Sequence, residues 1–474
     1  MPLPRLTPLA LVLSVTLGGP TASASDLMQA YTLARDSDPQ LAIAESSREA
    51  GQLRVVQARS SLLPNLSGSA SYSRSGMESS GERVLSVDPP IVSTNTTQSH
   101  SNGRNFGLQL NQSIYNHANY TQLRAAKKRD AMGEAQFDAE NDNLIVRVAE
   151  AYFNTLTAID ALVNSHAEER AVKRQLDQAE QRFDVGLTAI TDVHEARARY
   201  DGSRAGTIAS EVALEDAREA LTQITGQPLD HLLGLGENFA PSRPSPEGID
   251  AWVELTRERN PTLIAQALSA QADELDVATA RAGHLPSLSA SASRGRSYGW
   301  GTSAADLGII PSNNSSDDWR VGINLTVPLF SGFATQTQVK LALNARDQNA
   351  FRYDQNERTI LRQTRNAYRA LDAGISEVEA RKQAVVSAQS ALEATEAGFE
   401  VGTRTIVDVL LSQQVLFQAQ SAYSSSRHNF LVNTLRLKQA AGVIEVADLE
   451  AVNRLLVSDA EAALADASED PAKN

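Results

Sequence analysis

The residues best placed for chemistry in this 474-residue chain form one small charged group. Arg404 and Asp408 stand four apart just after Gly402, and Thr188 and Asp192 take the matching places after Gly186. On spacing alone the group is either a solvated helix start, its cation and carboxylate paired along one face for roughly a few tenths of a kcal/mol, or a functional cluster. The other reactive types give no site. Histidines at His100, His117, His166, His194, His231, His284 and His428 have no metal-ligand spacing, and His194-Glu195 lacks the second histidine of a zincin helix. There is no phosphate-binding P-loop, no G-x-S-x-G elbow and no G-x-G-x-x-G turn after a strand. Cysteine is absent, which removes thiolate ligands, disulfides, Cys nucleophiles and an N-terminal lipid-bearing Cys. The expectation is a protein that is not an enzyme and that carries no metal, no cofactor and no energy-coupling site.

The elements around the charged group occur twice. Leu63-Pro64-Asn65-Leu66-Ser67-Gly68 returns as Leu285-Pro286-Ser287-Leu288-Ser289-Ala290, and Phe183-Asp184-Val185-Gly186 with Ile190-Thr191-Asp192-Val193 returns as Phe399-Glu400-Val401-Gly402 with Ile406-Val407-Asp408-Val409. Each half reads helix, Pro, strand, polar loop, strand, very long helix, Gly turn, helix: a tandem duplication. Residues 1–24 carry Arg5, an apolar run Leu9–Leu17 and Ala22-Ser23-Ala24, the pattern of a secretory signal peptide. Residues 25–226 are the first repeat and 250–442 the second. The Pro/Gly-rich stretch 227–249 is a linker or side segment, 443–459 a C-terminal segment, and 460–474 an acidic, Ala-rich tail expected to be mobile.

Net charge of −14 argues against nucleic-acid binding, which needs a basic face. Past the leader no apolar stretch reaches the 18 or so residues of a membrane helix, so any membrane crossing must use strands. Four segments suit that role. Leu66, Gly68, Ala70 and Tyr72 alternate with serines; Phe106, Leu108 and Leu110 alternate with Asn105, Gly107, Gln109 and Asn111. Leu288, Ala290 and Ala292, then Val321, Ile323, Leu325 and Val327, repeat the pattern. Gly76–Gly103 and Tyr298–Asp318 are expected as long polar loops. A small sheet packed on the helices is the alternative. Four strands cannot close a barrel, and open edges in lipid leave backbone groups unsatisfied, so a barrel would be shared between chains.

The long helices point the same way. Asn116–Val185 has only Gly133 as a break and no Pro, and Ser331–Val401 is similar; at 1.5 Å per residue each would reach about 105 Å. Within the first, Ile145, Ala149, Tyr152, Leu156, Ile159 and Val163 make one seam, and Leu144, Val148, Ala151, Thr155, Ala158 and Leu162 a second. Two seams let helices join side by side into a tube; a broad buried face on an ordinary bundle helix is the other reading. Aromatic residues are only 5% of the chain, little material for a compact core.

By these residues, and most specifically by Gly402-Thr403-Arg404-Thr405-Ile406-Val407-Asp408-Val409 with Ala189-Ile190-Thr191-Asp192-Val193, the chain resembles the TolC family of outer-membrane efflux and secretion channels over nearly its whole mature length. The resemblance implies a mainly α protein with membrane β: a homotrimer whose twelve-stranded outer-membrane β-barrel continues into a twelve-helix periplasmic α-barrel. It implies a passive exit duct for drugs, toxins or proteins in a tripartite efflux pump or type I secretion system. The implied partners are a periplasmic adaptor protein, an inner-membrane transporter of RND, ABC or MFS type, and outer-membrane lipid. At the tip it implies a closed gate held by Arg404 with Thr191 and Asp192, further links from Gln175 and Glu396, and a cation-selective ring of Asp408 carboxylates. Two positions depart from the family pattern: Phe399 stands where a gate tyrosine is expected, and Leu411 where a second acid would follow Asp408. The rival class is a periplasmic structural coiled-coil protein without a pore.

Overall fold

The computed structural model describes residues 25–236, 239–305 and 308–468. The expected leader 1–24 and the chain end 469–474 lie outside them. The first repeat supplies helices α1 (Leu27–Ser37) and α2 (Pro39–Ser60), strands β1 (Asn65–Val87) and β2 (Pro90–Tyr115), and helices α3 (His117–Asp184) and α4 (Ile190–Thr225). After β3 (Leu233–Leu235) the second repeat runs in the same order: α5 (Ile249–Arg259), α6 (Pro261–Arg281), β4 (Ser287–Ala305), β5 (Gly308–Thr326), α7 (Ala334–Glu400) and α8 (Ile406–Ala441). Helix α9 (Val446–Asn453), strand β6 (Leu456–Asp459) and helix α10 (Ala460–Ser468) close the order. The long helices are 68 and 67 residues, and the returning helices α4 and α8 are 36 each, so the duplication extends to element lengths. No helix among the described residues is long and apolar enough to cross a membrane.

The chain divides into two compact units. One, Ile43–Ala139 with Arg257–Ile360, holds a four-stranded antiparallel sheet in the order β1-β2-β4-β5. Directly paired residues share a face. Leu66 pairs with Leu110, Leu110 with Ala292 and Ala292 with Val321, which puts the alternating apolar residues on one face. The other face carries Ser69, Gly107, Gly295 and Asp318 in one row. A Cβ at Gly103 or Gly107 would sit 2.9 and 3.0 Å from the hydroxyls of Ser73 and Ser69, so at these two positions the face is crowded against a side chain. Within one chain β1 and β5 are the outer strands, each paired along one side.

The expected long polar loops are corrected: they are strand. The β1–β2 pairing continues to Val87↔Pro90 and the β4–β5 pairing to Ala305↔Gly308. Ser- and Thr-rich sequence reads as loop by polarity, yet threonine suits extended backbone and each ladder satisfies its own N–H and C=O groups. Pro89 and Pro90, taken as loop markers, fall at the hairpin turn, where lost N–H donors cost least.

The other unit takes in residues 25–42, 140–256 and 361–468 among those described, and these are mainly helical with one small ribbon. Its core holds both expected seams of α3: Leu144, Ile145, Val148, Ala149, Tyr152, Leu156 and Ile159 are all at most 1% exposed. The tyrosine keeps its hydroxyl satisfied by sharing its one proton between the carbonyls of Leu233 (2.8 Å) and Ser25 (3.1 Å). Strand β3 pairs with β6, tying the segment between the repeats to the C-terminal segment. The mobile tail expected from 460 onward is also corrected, because Ala460–Ser468 is helix α10. Alanine is the strongest helix former. The Asp459 carboxylate accepts the N–H of Glu461 at 2.9 Å, and Glu461 pairs with Arg218 at 2.9 Å, so composition alone misread an anchored helix.

Candidate functional site

The charged group lies where α3 turns into α4 and α7 turns into α8. Both turns close alike. Gly186 (φ 77°) and Gly402 (φ 80°) adopt the left-handed conformation that ends a helix at low cost for glycine. Leu187 N–H donates to Arg182 C=O and Thr403 N–H to Gly398 C=O, each at 2.8 Å, the six-to-one bond of a Schellman end. The hairpins pack on one another through Val172, Leu176 and Ala179 of α3, Val193 and Ala196 of α4, and Ile406 and Leu410 of α8. A second set, Ala388, Leu392, Val409 and Leu416, joins α7 to α8.

Phe399 packs against both sets, between the two hairpins. The Arg182 guanidinium stacks on its ring, 4.8 Å from the centroid. Arg182 precedes Phe183 as Gly398 precedes Phe399, and the second-half glycine has its own use. A Cβ at Gly398 would lie 2.8 Å from Cγ of Arg404, so the missing side chain makes room for the stem of Arg404. Thr403 Oγ1 also donates to Gly398 C=O at 3.0 Å, fixing this turn.

The acids of the group are engaged locally. Asp408 and Thr405 form a capping box: the carboxylate accepts Thr405 N–H at 2.9 Å and its hydroxyl at 2.9 Å, and Thr405 Oγ1 accepts Asp408 N–H at 3.3 Å. These bonds, with the nearby Arg404 charge adding a smaller part, hold the Asp408 carboxyl below the usual carboxylate range. In the first repeat Ala189 stands at the N-cap and offers no such bond, and Asp192 instead accepts from Thr188 Oγ1. Among the described residues of one chain, no hydrogen bond or ion pair joins Arg404 to Thr191 or Asp192. Glu396 accepts from Gln413 Nε2 at 3.5 Å. The side-chain oxygens of Gln175 and Gln413 are buried without a hydrogen-bond partner within the chain. Sequence reasoning missed Arg182 and Gln413. Gln413 could have been found as a polar side chain on the apolar stripe Val409, Leu410 and Leu416.

No group of three or more His, Asp or Glu able to hold a metal occurs among the described residues. The described residues thus comprise a strand pair repeated in one sheet, two long helical hairpins and a charged tip. The sequence pattern of the outer membrane efflux protein family matches residues 30–227 and 252–443, the two repeats, and the chain belongs to that family. It is 35% identical to outer membrane protein TolC of Escherichia coli strain K12 over 95% of this chain and 89% of that protein. It is 28% identical to the alkaline protease secretion protein AprF of Pseudomonas aeruginosa over 92% of this chain and 88% of that one. The outer membrane channel CmeC of Campylobacter jejuni shares the fold, with a TM-score of 0.71 at 19% identity over 100% of this chain and 99% of that one. The protein is an outer-membrane exit duct, and a poreless periplasmic coiled coil is set aside.

Proposed function

We propose that three copies of the chain assemble, the β1 edge of one pairing with the β5 edge of the next, into a twelve-stranded barrel that continues into a tunnel of twelve helices, α3, α4, α7 and α8 from each copy. The observation that carries this is the open sheet with one apolar face: its outer strands would leave ladder groups bare in lipid at several kcal/mol each. The unpartnered buried oxygens of Gln175 and Gln413 support the same reading, since the chain alone does not satisfy them. At the tip Arg404 of each copy holds Thr191 and Asp192 across a hairpin boundary, with Gln175 and Glu396 as further links and Phe399 as the wedge that sets hairpin spacing. The Asp408 carboxylates form the cation-selective ring, with Leu411 one turn on making it a single ring.

The duct is passive and is opened by a periplasmic adaptor and an energised inner-membrane transporter. Its cargo is small toxic molecules in an efflux pump, secreted protein in a type I system, or both. The test is the purified full-length protein in planar lipid bilayers. Small, cation-selective single-channel currents are expected. Absence of conductance in protein that salt alone releases from membranes would overturn the proposal.

A further inference from the structure

One band of the sheet has chemistry that a simple duct does not use. On the apolar face, Leu325, Ile323, Val321 and Trp319 follow one another along β5, with Val327 just past its end, all of them exposed. Eight residues at 3.4 Å, tilted by about 40°, give roughly 21 Å of height, close to the apolar band of a membrane barrel. Toward the β-hairpin ends this face then changes character. Arg294 pairs with Trp319 in register, Arg296 with Asp317, Arg104 with Tyr298, and Arg74 with Asn102, whose other neighbour is Trp300. Four arginines therefore occupy four successive rows of this face, one in each, beside the aromatic residues. The Arg104 guanidinium lies 5.0 Å from the Trp300 ring, Arg296 lies 5.2 Å from Tyr298, and Tyr72 leans on Trp300 at 6.3 Å.

The charges do not cancel. Asp317 meets Arg294 at 3.5 Å, and that arginine is still 74% exposed. Asp318 points to the opposite face, beside Gly295, and Glu78 stands two rows farther out on the arginine face. Beside the arginines a groove of about 550 Å³ is lined by Gly68, Ala70, Phe106 and Leu108, with Arg294, Arg296 and Asp317 along it. Gly68 and Ala70 leave the space, and Phe106 and Leu108, 52% and 57% exposed, offer it apolar walls.

We propose that this band is a binding site for an anionic phosphorylated lipid of the membrane, its acyl chain in the groove beside Phe106 and Leu108 and its phosphate on Arg294 and Arg296. A free anion would use the arginines but would have no use for the apolar groove. A neutral lipid would use the groove and leave the arginines uncompensated next to a low-dielectric layer. Aromatic rings at this level anchor the headgroup region, as interfacial Trp and Tyr do in general, while guanidinium forks match phosphate oxygens. The proposal rests on the reading that this face of the sheet meets lipid.

The experiment uses the chain's own tryptophans. Trp252 is buried at 2% exposure, so Trp300 and Trp319 report on lipid. The full-length protein in neutral detergent micelles is titrated with phosphatidylglycerol or phosphatidylcholine carrying brominated acyl chains, which quench nearby indoles. The anionic lipid is expected to reach half-quenching at roughly thirtyfold lower mole fraction, the preference that two arginines near an anionic headgroup give. Arg294→Gln with Arg296→Gln should remove the preference and leave quenching by phosphatidylcholine in place. Arg320→Gln, on the opposite face, should keep it. Equal quenching by the two lipids in the unaltered protein, or a preference that survives the double substitution, overturns the proposal while leaving the lipid-facing reading intact. Quenching by neither lipid overturns both. Inorganic phosphate that abolishes the preference where chloride at equal ionic strength does not would assign the arginines to a free anion and overturn the lipid site.

Discussion

Gly398→Ala separates gate function from stability. The added methyl carbon would sit 2.8 Å from Cγ of Arg404, 3.3 Å from Thr403 Oγ1 and 3.5 Å from Cβ of Arg404. Ordinary carbon contacts are about 3.5–4.0 Å, so the Arg404 stem must move by about 1 Å. Because the obstructing atoms belong to an exposed side chain, the fold gives way cheaply, and removing a helix glycine returns about 0.5–1 kcal/mol. The gate should respond with the opposite sign. If each Arg404 link contributes about 1 kcal/mol, loss of all three in Arg404→Ser shifts the closed–open balance by about 3 kcal/mol, roughly a hundredfold. A displacement of about 1 Å takes a hydrogen bond beyond reach but leaves the through-space attraction, so Gly398→Ala should give about half that free energy, roughly tenfold. The assay is single-channel recording of full-length protein, with thermal unfolding in parallel. In an Arg404→Ser background the alanine should add nothing, since the group it displaces is gone. An equal effect of Gly398→Ala with and without Arg404, or an Arg404→Ser channel indistinguishable from the parent, would refute the reasoning.

Three further outcomes follow from the same geometry. Asp408→Ala should abolish most block by multivalent cations; because the carboxyl sits below its ordinary value of 3.8, block in the unaltered channel should persist from pH 7 down to that value and be lost only below it, a dependence that bilayer recordings across pH will check. Arg at Ile323, in the middle of the apolar run of β5, should destabilise the assembly by about 2–4 kcal/mol near the membrane midplane, whereas Arg at Asn324 should change conductance instead, as denaturation and current measurements will separate. Burial, with the Arg427 charge adding to it, lowers His428 to about 4; its ring nitrogen meets Thr157 Oγ1 at 2.8 Å and its other nitrogen lies 4.0 Å from Asp160, whose own pKa burial raises. The unfolded chain takes up that proton near pH 6.5 and the folded one only near 4, so stability is full above 6.5 and falls by about 3 kcal/mol per chain as pH drops to 4; His428→Gln should flatten that slope in thermal unfolding.

The parts of this molecule that the chain writes in periodic form were legible beforehand. Alternation of Leu66, Gly68 and Ala70 with serines gave the sheet faces, and the stepped Ile145, Ala149, Tyr152 and Leu156 gave the buried side of α3. Length was harder. Ser- and Thr-rich β-hairpin ends look like loop because composition reports polarity, while strand pairing depends on a partner at the right register that one segment cannot reveal. The Ala-rich end looks mobile for the same reason, its contacts with Arg218 and Leu232 being more than two hundred residues away in sequence. At the tip, the Thr405-to-Asp408 spacing is a capping-box signature that was present in the sequence and passed over in favour of a channel role for the acid. The stacking of Arg182 on Phe399 had no sequence signal, since it joins two helices through a turn geometry that only the fold supplies.

On this reading one chain is a third of a duct. Native mass spectrometry of the full-length protein, extracted by mild detergent from outer membranes, tests it most directly. A single dominant assembly of three chains that dissociates without stable dimers is expected, because each sheet needs both of its edges paired. A stable monomer, or an assembly of two or four chains, would contradict it.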